Sequence, residues 1–180
     1  YYAEKRPFFL DGASYFKTSQ LELLYTRTIA EPDVGVKLTG KTGNHSYGFI
    51  YADDDNTSVL LPTNQGSYFA NLGDKTHAAV GRYQFDIGQK GTIGVMSTHR
   101  ENDDYHNSVL SLDGSYWFNQ TDSLQYQVAT TDTKNSDFLV DVYGLEETQS
   151  DHAYKVEISR TKRDYELYAS YENIGEEYRS

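Results

Sequence analysis

Apolar and polar residues alternate one for one along most of this chain, and the alternating stretches come in pairs joined by turn residues. In residues 33–53 (DVGVKLTGKTGNHSYGFIYAD), Val34, Val36 and Leu38 alternate with Gly35, Lys37 and Thr39; Tyr47, Phe49 and Tyr51 then alternate with Ser46, Gly48 and Ile50. A reversal at Thr42 and Gly43 predicts a hairpin that pairs Leu38 with Tyr47, Val36 with Phe49 and Val34 with Tyr51, with Gly43 supplying a positive φ. Three more hairpins follow the same rule. Residues 77–87 and 93–100 turn around Gln89-Lys90-Gly91, with Gly91 in the left-handed position, setting Ile87 against Ile93 and Phe85 against Val95. Residues 109–118 and 123–131 match Phe118 with Leu124, Tyr116 with Tyr126 and Gly114 with Val128. Residues 151–160 and 165–173 match Ile158 with Leu167, Val156 with Ala169 and Tyr154 with Tyr171. A further strand is predicted at 21–28, where Leu21, Leu23, Tyr25 and Arg27 alternate with Glu22, Leu24 and Thr26. Residues 1–20 lack a period and contain Pro7 and Gly12, so they read as a lead-in to a 21–180 strand region.

The linkers alternate in kind. Tight turns close the hairpins, while 53–76, 101–107 and 131–151 are polar loops, with no helix expected between residues 34 and 171. Short turns at one end and longer loops at the other predict an all-β, antiparallel up-and-down meander, and more finely part of a transmembrane β-barrel of about nine strands. Since single-chain bacterial barrels have even strand numbers, and the first residue is Tyr, the chain reads as a portion of something longer, with either further strands beyond residue 180 or one strand miscounted.

Period-two alternation does not say whether the apolar face looks at a core or at lipid. The other face carries Lys37, Arg82, Gln84, Arg100, Asp113, Gln125, Gln127, Lys155, Glu157 and Glu166, a mixture of signs that suits a wetted interior. Tyr and Phe recur near strand ends, among them Tyr47, Tyr83, Phe85, Tyr116, Phe118, Tyr165 and Tyr171, as aromatic girdles require. Lys37, Arg82, Gln84, Arg100, Asp113, Gln125, Lys155 and Glu157 are therefore the predicted lumen-lining residues. A soluble barrel would turn the same residues to bulk water, but its interior needs more Leu, Ile and Val than the apolar face supplies.

Composition narrows the classes. Of 180 residues 37% are apolar, yet 17 are Tyr and 14% are aromatic, too aromatic for a disordered chain. A formal net charge of −11 argues against a nucleic-acid partner. No Cys is present, so disulfides and thiolate metal sites are excluded. No apolar run approaches the ~20 residues of a membrane helix, which leaves strands as the only means of crossing a bilayer.

Glu4-Lys5-Arg6-Pro7-Phe8-Phe9-Leu10-Asp11-Gly12, then Leu24-Tyr25-Thr26-Arg27 with Ile29, then Gly35-Val36-Lys37-Leu38-Thr39-Gly40-Lys41 resemble a family of bacterial outer-membrane proteins, with a weaker echo in YENIGEE at 171–177. That family, of largely uncharacterised function, joins an N-terminal carbohydrate-binding-like domain, similar to the xylan-binding module of xylanases, to a C-terminal β-barrel. Thr28 stands where the family tends to have a second Arg and Ala30 where it tends to have Gly, and the N-terminal domain is absent from this chain. The resemblance implies an outer-membrane location in a Gram-negative envelope, lipid as a partner, and no established reaction.

Candidate chemistry is sparse. Asp53-Asp54-Asp55-Asn56 offers oxygens for Ca²⁺ but lacks the Gly and Glu of an EF-hand loop, and reads as a solvated acidic loop. His99, Asp103, Asp104 and His106 have ligand types suited to Zn²⁺ but sit in a polar loop. Asp113, Glu157 and Glu166 are carboxylates without a fixed separation. No metal, cofactor or enzymatic activity is expected. Arg6-Pro7-Phe8-Phe9 is the most distinctive short motif, either anchoring the lead-in to the barrel wall or plugging its mouth, with Arg6 reaching a lumen carboxylate, or simply packing two Phe on the first strand. The expected function is a barrel with a polar lumen for solute passage or surface binding, porin-like, with an oligosaccharide as candidate solute. The alternatives are a soluble all-β ligand-binding barrel and a scaffold or translocation component contacting other envelope proteins.

Overall fold

A computed structural model describes residues 5–24, 32–55, 58–63, 66–71 and 75–179. The described residues are all-β apart from short helical segments. In order come α1 (Pro7–Leu10), a 3₁₀ turn (Ala13–Phe16), β1 (Pro32–Thr42), β2 (His45–Asp54), β3 (Ser58–Thr63), β4 (Gly66–Asn71), β5 (Thr76–Ile87), β6 (Gly91–Glu101), β7 (His106–Trp117), β8 (Asp122–Lys134), α2 (Asp137–Tyr143), β9 (Thr148–Thr161) and β10 (Glu166–Ile174). Eight of the strands form one antiparallel meander in the order β1-β2-β5-β6-β7-β8-β9-β10, and β3 pairs only with β4. The large sheet is not closed: β1 and β10 are its edges.

Every predicted hairpin is present, and every one is displaced by two residues on one strand. Leu38 pairs with Phe49 and Val36 with Tyr51, so the turn falls after Thr42↔His45 rather than at Thr42. Phe85 pairs with Ile93 and Tyr83 with Val95; Gly88, not Gly91, holds the positive φ (58°). Tyr116 pairs with Leu124 and Leu112 with Val128, and Ile158 pairs with Ala169 and Val156 with Tyr171. The physical reason is common to all four. A two-residue slip keeps every side chain on its own face, so hydrophobic matching cannot detect it, and the turn geometry alone selects the register.

Four other expectations need correction. Residues 21–24 form no strand, and 25–28, with the Tyr25–Ala30 part of the family-like motifs, lie outside the described residues. The loop expected at 53–76 contains the β3–β4 ladder. The connection at 101–107 is only a four-residue turn, in which Asn102 Oδ1 accepts from the backbone N–H groups of Asp104 (2.9 Å) and Tyr105 (2.6 Å). The loop at 131–151 contains the helix α2, against the expectation of none. Ser136 caps it by accepting from Leu139 N–H, Asp137 stands in its first turn, and Gly144 ends it at φ 67°. Those signals are present in the sequence, inside a stretch that is otherwise polar.

The sheet has two unlike faces. The outer one presents Val34, Val36, Leu38, Phe49, Tyr83, Val95, Leu110, Leu112, Val128, Ile158, Leu167 and Tyr171, all exposed. The inner one carries aliphatic residues at its centre: Ile50, Val80, Met96, Val109 and Ala129, from β2, β5, β6, β7 and β8. These are covered by Phe16 and Leu23 of the lead-in segment, which supplies the bulk that the strands lack.

Candidate functional site

The inner face and the segment lying on it form the candidate site. Ladder register places all eight predicted lumen-lining residues on this one face. Lys37 stands opposite Ile50, Arg82 opposite Gly48 and Met96, Gln84 opposite Gly94, and Arg100 opposite Ala78 and Asn107. Asp113 stands opposite Gln127 and Gln125 opposite Glu157, while Lys155 stands between Gln127 and Glu172.

Their surroundings differ from a wide aqueous bore. Arg82 and Asp113 are each under 5% exposed, and both Nη atoms of Arg82 donate to the carboxylate, one of them at 2.9 Å to Oδ2. Gly94 between them has no side chain, and a Cβ there would lie 2.5–2.7 Å from the guanidinium, so the glycine makes room for the pair. Lys155 pairs with Glu172 at 2.8 Å. Glu157 and Glu166 lie on the neighbouring strands β9 and β10, and Asp113 is engaged by Arg82.

The lead-in is fixed to this face along its length. Pro7 opens α1, Phe9 packs on Ala52 and Ala78, and the ring of Phe8 lies against Gly35. Arg6 lies over the Phe9 ring at 4.4 Å. Lys37 Nζ donates to the carbonyl oxygens of Phe8 (2.9 Å) and Asp11 and sits 5.6 Å from the Phe16 ring, placing a cation where the short helical turns end. Phe16 in turn lies on Gly48. Further along, Ser19 N–H donates to Asp113 (3.2 Å), Ser19 Oγ donates to Tyr126 O (2.8 Å), and Gln20 Nε2 donates to Gln125 Oε1 (2.9 Å). Gln127, fully buried, accepts from the N–H groups of Gln20 and Leu21. The two Phe of the Arg6–Phe9 motif thus pack on β1, β2 and β5, and residues 19–21 lie over the polar side chains of Asp113, Gln125 and Gln127.

Sequence reasoning missed this second half, because Thr18, Ser19 and Gln20 are ordinary loop residues until Gln125 and Gln127 are set opposite them. It also missed the chain after β10. Glu177 N–H donates to Asp151 (2.9 Å), Asn107 Nδ2 donates to Arg179 O (3.3 Å), and Tyr178 packs against the inner cluster. Tyr105, at the β6–β7 turn, is buried, and burial pushes its hydroxyl above the ordinary range; burial likewise lowers the Arg179 guanidinium.

Neither metal candidate is assembled. Asp53 holds His77 at 2.6 Å, and Asp55 holds Lys75 at 2.6 Å, a contact that keeps its carboxyl below the usual range. His99 contacts Ser108 and Glu101, His106 contacts Asp132, and Asp104 accepts from the N–H of Asp137. Among the described residues no three His, Asp or Glu side chains converge on a common point.

On the outer face, aromatic and His rings meet near both ends of the strands. Close to the short turns, His45 contacts Tyr83 and Phe85, and Tyr116 meets Phe118 at 5.5 Å; near the opposite end, Tyr51 stacks on His77 and His152 on Tyr154. No helix among the described residues is long and apolar enough to cross a membrane, which says nothing of crossing by strands. No family model, curated protein or solved structure matches the chain.

Proposed function

We propose that the chain is part of an outer-membrane β-barrel whose outer face meets lipid and whose polar interior is occupied by its own N-terminal segment. One observation carries this reading: the chain distributes its residues inside out. Val36, Leu38, Leu110 and Ile158 are each at least 55% exposed, while Arg82, Asp113, Ser111 and Gln127 are under 5% exposed. A water-soluble sheet gains by hiding the first group and hydrating the second. Such a continuous exposed apolar face needs a partner, and lipid fits an array of Val, Leu and Ile bounded by Tyr, Phe and His near its ends. The family resemblance of residues 4–50 supports the same location.

The plugged interior favours binding of a solute, or a scaffolding role with other envelope proteins, over free passage. Refolding into phosphatidylcholine vesicles tests the reading. Flotation with the vesicles, with strand segments protected from added protease, is the expected result. A chain that stays monomeric and folded in detergent-free buffer would overturn it and favour the soluble ligand-binding barrel.

A further inference from the structure

We propose that the cavity between residues 14–19 and the short-turn end of β5–β8 binds a neutral polyhydroxylated solute the size of one sugar ring. The inference rests on the inner face being the wetted side of the sheet, and it names the solute that such an interior would hold. The cavity encloses about 300 Å³, within the range of small-molecule sites.

Its lining is rich in groups that are only partly used. Thr92 and Ser115 share one hydrogen bond at 3.2 Å, and Ser123 bonds Ser159 at 2.7 Å. A hydroxyl has one donor and two acceptor positions, so each of these retains capacity for a ligand hydroxyl. Gln125, whose oxygen takes Gln20, lines the same space, and Thr18 faces it from the lead-in. Arg82 also lines it, its guanidinium held by Asp113.

Two further features set the class. Both guanidinium Nη atoms are neutralised by Asp113, so the floor is dipolar rather than cationic, which disfavours an anion and suits neutral hydroxyls. Trp117 lines the cavity and offers the flat apolar surface on which the C–H face of a sugar ring rests. Lys17, on the lead-in side, is the competing feature that would draw an anion instead.

Trp117 is also the chain's one tryptophan, so its emission reports occupancy directly. With the protein folded in a phosphocholine detergent, whose headgroup is not a sugar, D-glucose and D-galactose are titrated against D-gluconate. Saturable shifts in emission in the millimolar range with the neutral sugars, weakened about tenfold in Ser115→Val and in Ser123→Val, are expected, the loss of one hydrogen bond being worth roughly that factor. Far-UV circular dichroism confirms that the variants keep the fold. Absence of a saturable signal with either sugar, in fluorescence and in calorimetry, overturns the proposal; so does binding of gluconate alone, which would make Lys17 the recognition element. A chain that enters vesicles but ignores sugars loses only this inference, whereas one that binds sugars while remaining soluble loses only the membrane reading.

Discussion

The side-chain amide of Gln127 and the backbone of Leu21 form a two-way hydrogen-bonded pair: Leu21 N–H donates to Oε1 at 2.7 Å and Nε2 donates back to Leu21 O at 3.2 Å. A glutamine in β8 thus acts as a peptide group extended from the sheet, and it holds the lead-in as a neighbouring strand would. Gln127→Ala removes the acceptor of both the Gln20 and Leu21 N–H groups, while Leu21 O keeps its bond from the Thr18 hydroxyl, and is expected to cost about 1–3 kcal/mol, because the penalty falls on the two orphaned donors. Limited proteolysis checks it: cleavage within residues 5–24 should accelerate well ahead of cleavage in the strands.

Arg82 and Asp113 form a buried ion pair, so the response to mutation should be non-additive. Asp113→Leu or Arg82→Met alone strands a charge and should destabilise by about 3–5 kcal/mol, whereas the double variant should recover most of the loss. Denaturant melts of the four proteins measure the coupling. Strictly additive losses would mean that the two charges are separately solvated.

Gly48 carries the Phe16 ring where a Cβ would stand 2.8 Å from it. Gly48→Ala should therefore cost about 1–3 kcal/mol through overpacking, and Phe16→Leu in the same chain should return part of it. An unchanged unfolding midpoint in Gly48→Ala would show that the ring can move away freely.

Leu38 and Leu110 separate the membrane reading from the soluble one. Lys at either position should weaken insertion into vesicles, by about 2–4 kcal/mol if the site lies near the bilayer midplane. If the outer face meets water, the same change is near neutral and raises solubility. The vesicle-bound fraction across a urea series distinguishes the two.

Tyr105 lies in the β6–β7 turn, outside the strands, and its hydroxyl titrates above the ordinary value of about 10 because burial disfavours the phenolate, with the opposing charges of Arg100 and Arg179 secondary. Its folded-state pKa is raised, so between the unfolded and folded values the unfolded chain has lost a proton that the folded chain keeps. Stability should be unaffected below pH 10 and fall as pH rises beyond it. In Tyr105→Phe this alkaline loss should shrink, as read from melting temperatures between pH 8 and 11.

Alternation by itself determined a great deal about this protein: an all-β antiparallel meander, four hairpins, and the shared face of Lys37, Arg82, Asp113, Gln125 and Glu157. That was legible because successive strand side chains point to opposite sides, a property of the local backbone that needs no knowledge of the fold. The pairing register was not legible, because displacing Leu38 from Tyr47 to Phe49 exchanges one aromatic for another on the same face, and only the geometry of the Gly43 turn tells them apart. The seating of the lead-in was legible in part. Pro7, Phe8 and Phe9 stood out as an anchor, but Ser19 and Gln20 acquire partners only when β7 and β8 bring Asp113, Gln125 and Gln127 beneath them, about a hundred residues away in the chain. Contacts of that separation have no local signature, and the tertiary structure alone decided that residues 19–21 lie over the polar side chains of β7 and β8.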